Sequence, residues 1–285
     1  MVEAGLIASR WLHYAAVTGL FGLLLFPLYA PRTALSDARG SRFAAVVLAA
    51  VAAGSALAWF VFAVAVMAGD MAQALATIPM VLTGSDFGPT WAVRVAMALA
   101  LCLPAVARAK GINAVLAGLL LASLALTGHA RVHDGLVGWL HVSADALHLL
   151  AAGAWLGALA AFLWLLRSAP EDPATARAMS DFARIGSLAV AVLVASGAAN
   201  AWLVLGAVQP LFTTLYGRLL LLKLALFAGM LALAGLNRFR LAPALAKAPT
   251  PSVLRGLRRH VLGEQGLGLA VLLVVSVIGT LDPTA

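Results

Sequence analysis

The sequence predicts an all-α polytopic membrane helix bundle with eight transmembrane helices and with both termini on the outer side. Three observations lead to this fold class. Hydrophobic residues make up 63% of the 285 residues and charged residues only 11%, a composition typical of polytopic membrane proteins. Eight apolar stretches are long enough to cross a bilayer, and the basic residues are concentrated in every second connection. Because the connections are short, we expect one transmembrane domain over residues 1–285.

Each predicted span is an apolar run that covers the bilayer at a helical rise of about 1.5 Å per residue. The longest connection, residues 69–89, is predicted to carry a short surface helix at Met71–Leu82, which ends at Thr83, Gly84, Ser85 and Asp86. The eight predicted spans are 6–29, 43–68, 90–108, 112–129, 141–166, 182–206, 216–239 and 260–281.

The lysines and arginines set the orientation of the bundle. The connections after spans one, three, five and seven, with the helix ends beside them, carry most of the 19 basic residues. The opposite connections carry Asp70, Asp86, Asp134 and, as their basic residue, Arg131. Basic connections face the cytoplasm, so both termini are predicted to lie outside. The net charge of +8 therefore indicates topology and contact with lipid headgroups, and it does not indicate a nucleic-acid partner.

With this orientation, most of the histidines fall in an outer layer of the protein. His129 ends span four, His133 lies in the outer connection, and His141 begins span five. His148 lies two turns deeper, about 10 Å further along the helix, and His13 reaches a similar depth in span one. Ionisable residues inside a membrane are costly and usually functional, so we predict a binding site in this layer.

One face of span five carries the main candidates, because residues at about 100° intervals form a stripe. The stripe comprises His141, Asp145, His148, Ala152 and Trp155. Imidazole suits copper, but His141 and His148 are too far apart along the helix to hold one ion directly. A ligand from another helix is needed, for which His13 and His129 are the nearest candidates. Asp145 reaches either histidine of its helix, as a ligand or as the carboxylate that orients one.

Several weaker candidates belong to the same outer layer. Met67 and Met71 offer thioethers, which favour Cu(I). Asn200 is polar inside an apolar run, so it either bonds to a neighbouring helix or lines the pocket. His133 and Trp155 complete this group.

The inner half of the bundle offers few ligands. Met97, Cys102 and Met230 are scattered, and His260, beside basic residues, is expected to contact headgroups. This favours capture of an ion at the outer face over a conduit lined with ligands. No nucleotide-binding loop is legible, so no nucleotide partner is expected, and no catalytic constellation indicates an enzyme.

A set of short motifs recurs in order along most of the chain. They are Thr127-Gly128-His129-Ala130, the stretch from Asp145 to Ala152, Trp155-Leu156-Gly157, Tyr216-Gly217-Arg218 with Lys223, Asn237-Arg238 through Pro243, and the terminal span from Leu262 to Pro283. Together they resemble the CopD/PcoD family of bacterial copper-resistance inner-membrane proteins. The family's Trp-Leu-Gly-Gly-Leu pattern reads Trp155-Leu156-Gly157-Ala158-Leu159 here, a mild departure.

The resemblance implies an eight-span protein of the bacterial inner membrane that handles copper. It also implies a small periplasmic copper-binding partner of the CopC type, with copper uptake as the usual proposed role. The site residues implied by the family are His129, Asp145, His148 and Trp155, whereas His13 and His141 come from depth and helix face. No Met-rich or His-rich outer loop is present, so high-capacity copper storage is not expected.

Three functions stay open at this point. The leading one is a copper-binding transporter or acceptor for copper homeostasis or resistance, which captures Cu(I) or Cu(II) at the periplasmic face. The alternative is a haem-b redox protein, in which His13 and His148 ligate the iron while glycines of spans one and five make room. Those glycines are Gly19, Gly22, Gly153 and Gly157. The third is a scaffold that docks a periplasmic copper protein.

Overall fold

The computed structural model describes residues 1–35, 39–85, 87–103, 106, 109, 111–128 and 134–283. The regular structure of these residues is entirely helical, which confirms the predicted all-α class. The elements are α1 (Val2–Tyr29), α2 (Arg39–Ala68), α3 (Met71–Gly84), α4 (Phe87–Cys102), α5 (Ile112–Ala122), a 3₁₀ turn (Ser123–Thr127), α6 (Gly135–Ser168), α7 (Pro173–Leu205), α8 (Pro210–Thr213), α9 (Leu215–Leu236), a π-helical turn (Asn237–Leu241), α10 (Ala242–Lys247) and α11 (Pro251–Ile278).

Six helical segments of the described chain are long and apolar enough to cross a membrane. They are α1, α2, α6, α7, α11 and the continuous segment Leu215–Lys247, and they match six of the predicted spans. The spans predicted at 90–108 and 112–129 correspond to α4 and to Ile112–Thr127, which belong to a shorter class of 10–17 residues. An apolar run continues past Cys102 in the sequence, but the helix α4 ends there. The count of eight and the orientation of the termini stay predictions.

The surface helix predicted after span two is confirmed as α3. It begins after Asp70, whose carboxylate accepts a hydrogen bond of 2.7 Å from the backbone N–H of Gln73. Such an N-cap stabilises a helix by about 1 kcal/mol. Ala74 is the buried residue of α3, so this helix lies on the outside of the bundle, against α2 and α4.

Helices α1 and α6 cross through two glycines. A Cβ atom on Gly22 would lie 2.2 Å from the Cα of Gly157, and one on Gly157 would lie 2.1 Å from the Cα of Gly22. Small residues allow membrane helices to approach closely and to gain van der Waals contact. The crossing therefore fixes α1 against α6 backbone to backbone.

The buried apolar side chains form two clusters, with α6 between them. One cluster joins α1, α2, α4 and α5 and contains the aromatic residues Trp59 and Trp91. The other joins α6, α7 and α11. Because α6 packs against α1, α5, α7 and α11, it stands at the junction of the bundle, and polar side chains on it can meet residues from both clusters.

Candidate metal-binding site

The polar stripe of α6 opens onto a cavity of about 200 Å³. Four of its five members line this cavity, namely His141, Asp145, His148 and Ala152. The helical period thus predicted their common direction correctly. The other walls come from α1, α7, α9 and α11, so the site is built at the meeting point of several helices.

The ring of His148 is held by α7. Its Nδ1 lies 3.0 Å from the hydroxyl oxygen of Ser196, and that hydroxyl donates its own hydrogen to the carbonyl oxygen of Val192. Because a hydroxyl has one hydrogen to donate, the hydrogen of the first bond belongs to Nδ1 of His148, and the lone pair is on Nε2. A neutral imidazole with Nδ1–H bonded in this way is the form that ligates metals through Nε2.

The absence of a side chain at Gly197 of α7 leaves room for the ring of His148. A Cβ atom on Gly197 would lie 3.3 Å from Cε1 and 3.6 Å from Nδ1 of His148. The first distance is tighter than an ordinary van der Waals contact. The position of the His148 ring therefore depends on Gly197 as well as on Ser196.

Helix α7 also positions Asp145. The side-chain Nδ2 of Asn200 donates a hydrogen bond of 3.2 Å to Oδ1 of Asp145, and Asn200 lines the cavity. Both sequence interpretations of Asn200, an interhelical bond and a pocket residue, are therefore correct. The Oδ1 of Asn200 is buried and has no hydrogen-bond partner, which leaves an unused oxygen acceptor beside the carboxylate.

Helix α9 brings a lysine to the same cavity. Lys223 lines it together with Asp145 and His148. From the sequence, Lys223 was identified only as part of a family motif. The signal that could have found it is one ionisable residue in the middle of an apolar run, the same signal that identified the stripe of α6.

The wall from α1 adds a second fixed cation. The guanidinium of Arg10 donates a 2.7 Å hydrogen bond to the carbonyl oxygen of Gly279 and a 3.3 Å hydrogen bond to the hydroxyl of Tyr14. It also lies 5.1 Å from the ring centre of Trp59. These contacts tie Arg10 in place, and they tie the end of α11 to α1.

The structure places His13 away from this cavity. Its fully buried ring lies 5.7 Å from that of Trp59, and its Nδ1–H donates a hydrogen bond of 3.0 Å to the carbonyl oxygen of Ala52. Its Nε2 has no hydrogen-bond partner, but the charge that acts on it is that of Arg94. His13 is not among the described residues that line the cavity, so the structure does not bring it together with the histidines of α6.

The remaining candidates are dispersed. Met67 is 61% exposed, Met71 packs against the cluster of α1, α2 and α4, and the lining of the cavity includes neither. Trp155 is buried and is not among the described residues that line the cavity. His129 and His133 lie outside the described residues.

The sequence did not predict a second buried polar network, which is called the inner network because the orientation predicted from the sequence places it in the inner half. Nδ2 of Asn237 donates a hydrogen bond to Oε1 of Glu264. Nδ1–H of His260 donates to Oδ1 of Asn237 at 3.1 Å. The expectation of a lone headgroup contact for His260 is therefore corrected. A carboxylate inside the last predicted span was the available signal.

The geometry gives the haem alternative no support. The backbones of Gly22 and Gly157 contact each other, so α1 and α6 leave no space between these glycines for a haem macrocycle. The cavity of about 200 Å³ is below the roughly 300–1,000 Å³ of ligand pockets for drug-sized molecules. His13 and His148, the expected pair of axial ligands, also face different surroundings.

The cavity contains nitrogen and oxygen donors of kinds that metal cations bind. His148 offers the Nε2 lone pair, Asp145 a carboxylate, and Asn200 a free amide oxygen, and such nitrogen and oxygen donors bind transition metals. Within the described ranges of the chain, no three side chains of His, Cys, Asp and Glu are close enough to hold an ion as they stand.

Comparison with known proteins assigns both halves of the chain to one kind of protein. Residues 1–139 match the family model described as "Copper resistance protein D-like, N-terminal domain", and residues 176–278 match "Copper resistance protein D". No solved structure matches the chain at a significant level.

Three curated relatives are similar over different lengths. Copper resistance protein D of Pseudomonas syringae pv. tomato is 35% identical, over 97% of this chain and 96% of its own length. Inner membrane protein YebZ of Escherichia coli (strain K12) is 28% identical, over 97% of this chain and 98% of its own length. Copper transport protein CutJ of Bacillus subtilis (strain 168) is 34% identical, over 58% of this chain but only 29% of its own length.

Proposed function

The chain belongs to the copper resistance protein D family, and from this premise we propose that it captures copper at the periplasmic face of the bacterial inner membrane for copper transport and homeostasis. The ion would enter the cavity between α1, α6, α7, α9 and α11. One relative is named for copper resistance and another for copper transport, which supports copper as the bound and transported ion.

One observation carries the proposal. His148 keeps its Nδ1–H on Ser196, and it shares a small cavity with Asp145 and His141. The Nε2 lone pair is thus available in a partly enclosed space beside a carboxylate, the arrangement in which an imidazole ligates a transition metal. A neutral histidine that served only in packing would not need a cavity and a carboxylate beside its Nε2.

The roles of the other side chains follow from their positions. Asp145, oriented by Asn200, supplies an oxygen ligand or holds the charge of the ion. His141, which lies about two turns from His148 towards the predicted outer end of α6, would receive the ion first and pass it to His148. His129 stays a further candidate ligand from the sequence. A periplasmic copper-binding protein of the CopC type would deliver the ion.

The test is metal analysis of detergent-purified protein after loading with copper and removal of the excess. We expect His148→Ala to lose copper affinity by more than about 100-fold, beyond the 10–100-fold typical of residues that only orient a ligand. His260→Ala is the matched control, because His260 is also bonded through Nδ1 but belongs to the inner network. Equal copper affinity of His148→Ala and wild type would reject the proposed site. A Soret band in the visible spectrum would reject copper as the sole cargo.

A further inference from the structure

Polar side chains from α1 and α4 meet at the buried ring of Trp59 in α2. The guanidinium carbons of Arg10 and Arg94 lie 5.1 Å and 5.5 Å from the centre of this ring. The rings of His13 and Trp91 lie 5.7 Å and 4.8 Å from it. We call these five residues the Trp59 cluster. It brings two arginines to one buried aromatic ring.

Both arginines of the Trp59 cluster carry a positive charge, because a guanidinium is not deprotonated in proteins. The fully buried Arg94 donates hydrogen bonds of 2.8–3.2 Å to hydroxyl and carbonyl oxygens of Ser123 and Thr127. Arg10 also donates to a carbonyl and a hydroxyl oxygen. None of these acceptors carries a negative charge. The aromatic faces of the cluster stabilise the cations in part, but a buried charge without a counter-charge is unfavourable.

The same cluster contains buried polar atoms that have no hydrogen-bond partner among the described residues. Three are N–H donors and the fourth is the free ring nitrogen of a histidine: Nη1 of Arg94, Nε1 of Trp91, Nε of Arg10 and Nε2 of His13. Buried polar groups nearly always have a partner in the protein or in a bound molecule. Several unpaired atoms around one ring therefore indicate that something binds there.

A water molecule and an anion differ in what they supply to this place. Water accepts hydrogen bonds from the N–H groups but leaves the charge of the arginines unbalanced. An anion accepts the same hydrogen bonds and also balances positive charge, in a region where screening by solvent is weak. The charge therefore favours an anion. The ion has to be small, because His13, Trp91 and Arg94 are each at most 2% exposed.

We propose that the Trp59 cluster binds a small monovalent inorganic anion of the size of chloride. The ion accepts hydrogen bonds from Nη1 of Arg94 and Nε1 of Trp91, two groups that contact each other, with the guanidinium carbon 4.5 Å from the ring centre. Arg10 adds its positive charge from α1. Because Arg10 also lines the cavity of α6, the anion site adjoins that cavity without sharing its metal donors. The inference does not depend on copper binding.

The experiment follows thermal unfolding of copper-free, detergent-purified protein as sodium chloride replaces sodium gluconate at constant ionic strength. Gluconate is an organic anion that is too large for a fully buried site. A ligand that binds only the folded state stabilises it according to the ratio of its concentration to its Kd. The unfolding temperature of the wild type should therefore rise with chloride along this binding curve, which gives the Kd. Equal unfolding temperatures in chloride and gluconate would overturn the inference and leave the cluster with water only.

The sharpest variant is Trp91→Phe, which keeps an aromatic ring and removes the Nε1–H donor. Loss of one hydrogen bond to a charged group should weaken chloride binding by about 10–100-fold. The matched control is Trp139→Phe, because Trp139 is 70% exposed, and it should bind chloride like the wild type. Equal chloride affinity of the two variants would also overturn the inference. Arg94→Gln, which removes the charge, should abolish the effect of chloride, and Trp91→Phe keeps the test decisive if Arg94→Gln does not fold.

Discussion

Replacement of Gly197 by alanine is expected to raise the stability of the fold and to lower its copper affinity. The glycine lies inside α7, and alanine is favoured over glycine in a helix by about 1 kcal/mol. The added methyl group, however, would lie 3.3 Å from Cε1 of His148. The stability of the fold should therefore rise while the copper affinity falls.

The size of the loss of copper affinity follows from the contact distances. Relief of the contact requires a shift of the His148 ring by a few tenths of an ångström. Metal–ligand distances are held within about 0.2 Å of their ideal values, so the shift is as large as the tolerance of the site. Displacement of a ligand without its removal typically costs about 10–100-fold in metal affinity, and we expect a loss in this range.

The assay combines thermal unfolding in detergent with a copper titration against a chelator. Gly54→Ala is the matched control, because Gly54 lies in α2 and a Cβ atom there meets nothing within 4 Å. Both variants should gain stability, and only Gly197→Ala should lose copper affinity. If the two variants bind copper equally well, the argument that Gly197 and Ser196 position His148 is refuted.

Two further predictions concern the fold and the inner network. Gly157→Ala should destabilise the protein by about 1–3 kcal/mol or more, because its methyl group would lie 2.1 Å from the Cα of Gly22 and the backbone has to move; an unfolding temperature equal to that of wild type would contradict this. Glu264→Ala should cost about 1–3 kcal/mol through the buried amide of Asn237 that loses its acceptor, while copper binding at the outer cavity stays unchanged. A loss of copper binding without a loss of stability would instead connect the inner network to the metal site.

The polar stripe of α6 was predictable because it lies on one helix. The angle between His141 and Asp145, and between Asp145 and His148, is set by the helical period alone. The structure confirms that they line one cavity. Within a single helix, sequence spacing predicted the direction of four of the five side chains, whereas Trp155, at the end of the stripe, does not line the cavity.

His13 shows the limit of the same reasoning. Counting residues predicts its depth in the membrane, but depth does not determine which neighbours a helix face meets. That direction depends on how α1 packs against α2, where the ring bonds to Ala52. Side-chain packing between helices, including the glycine contact with α6, decides it, and no local pattern in the sequence carries that information.

Lys223 and Glu264 could not be assigned from the sequence for a related reason. Each is a single ionisable residue in an apolar run, which indicates function but not a partner. Asn237, the partner of the glutamate, and the cavity neighbours of the lysine come from other parts of the chain. Only the assembled bundle shows that Lys223 lines the cavity of α6 and that Glu264 belongs to a separate polar network.

The position of α6 determines how the residues of the cavity are divided between the two family segments. The two matched family segments end at residue 139 and resume at residue 176, whereas α6 spans Gly135–Ser168. The proposed ligands Asp145 and His148 thus fall between the two recognised units, and their supports Ser196 and Asn200 fall in the second. The cavity thus combines α1 from the first unit, α6 from the segment between the units, and α7, α9 and α11 from the second, so recombination that exchanged the second unit between relatives would separate the proposed ligands from the residues that hold them.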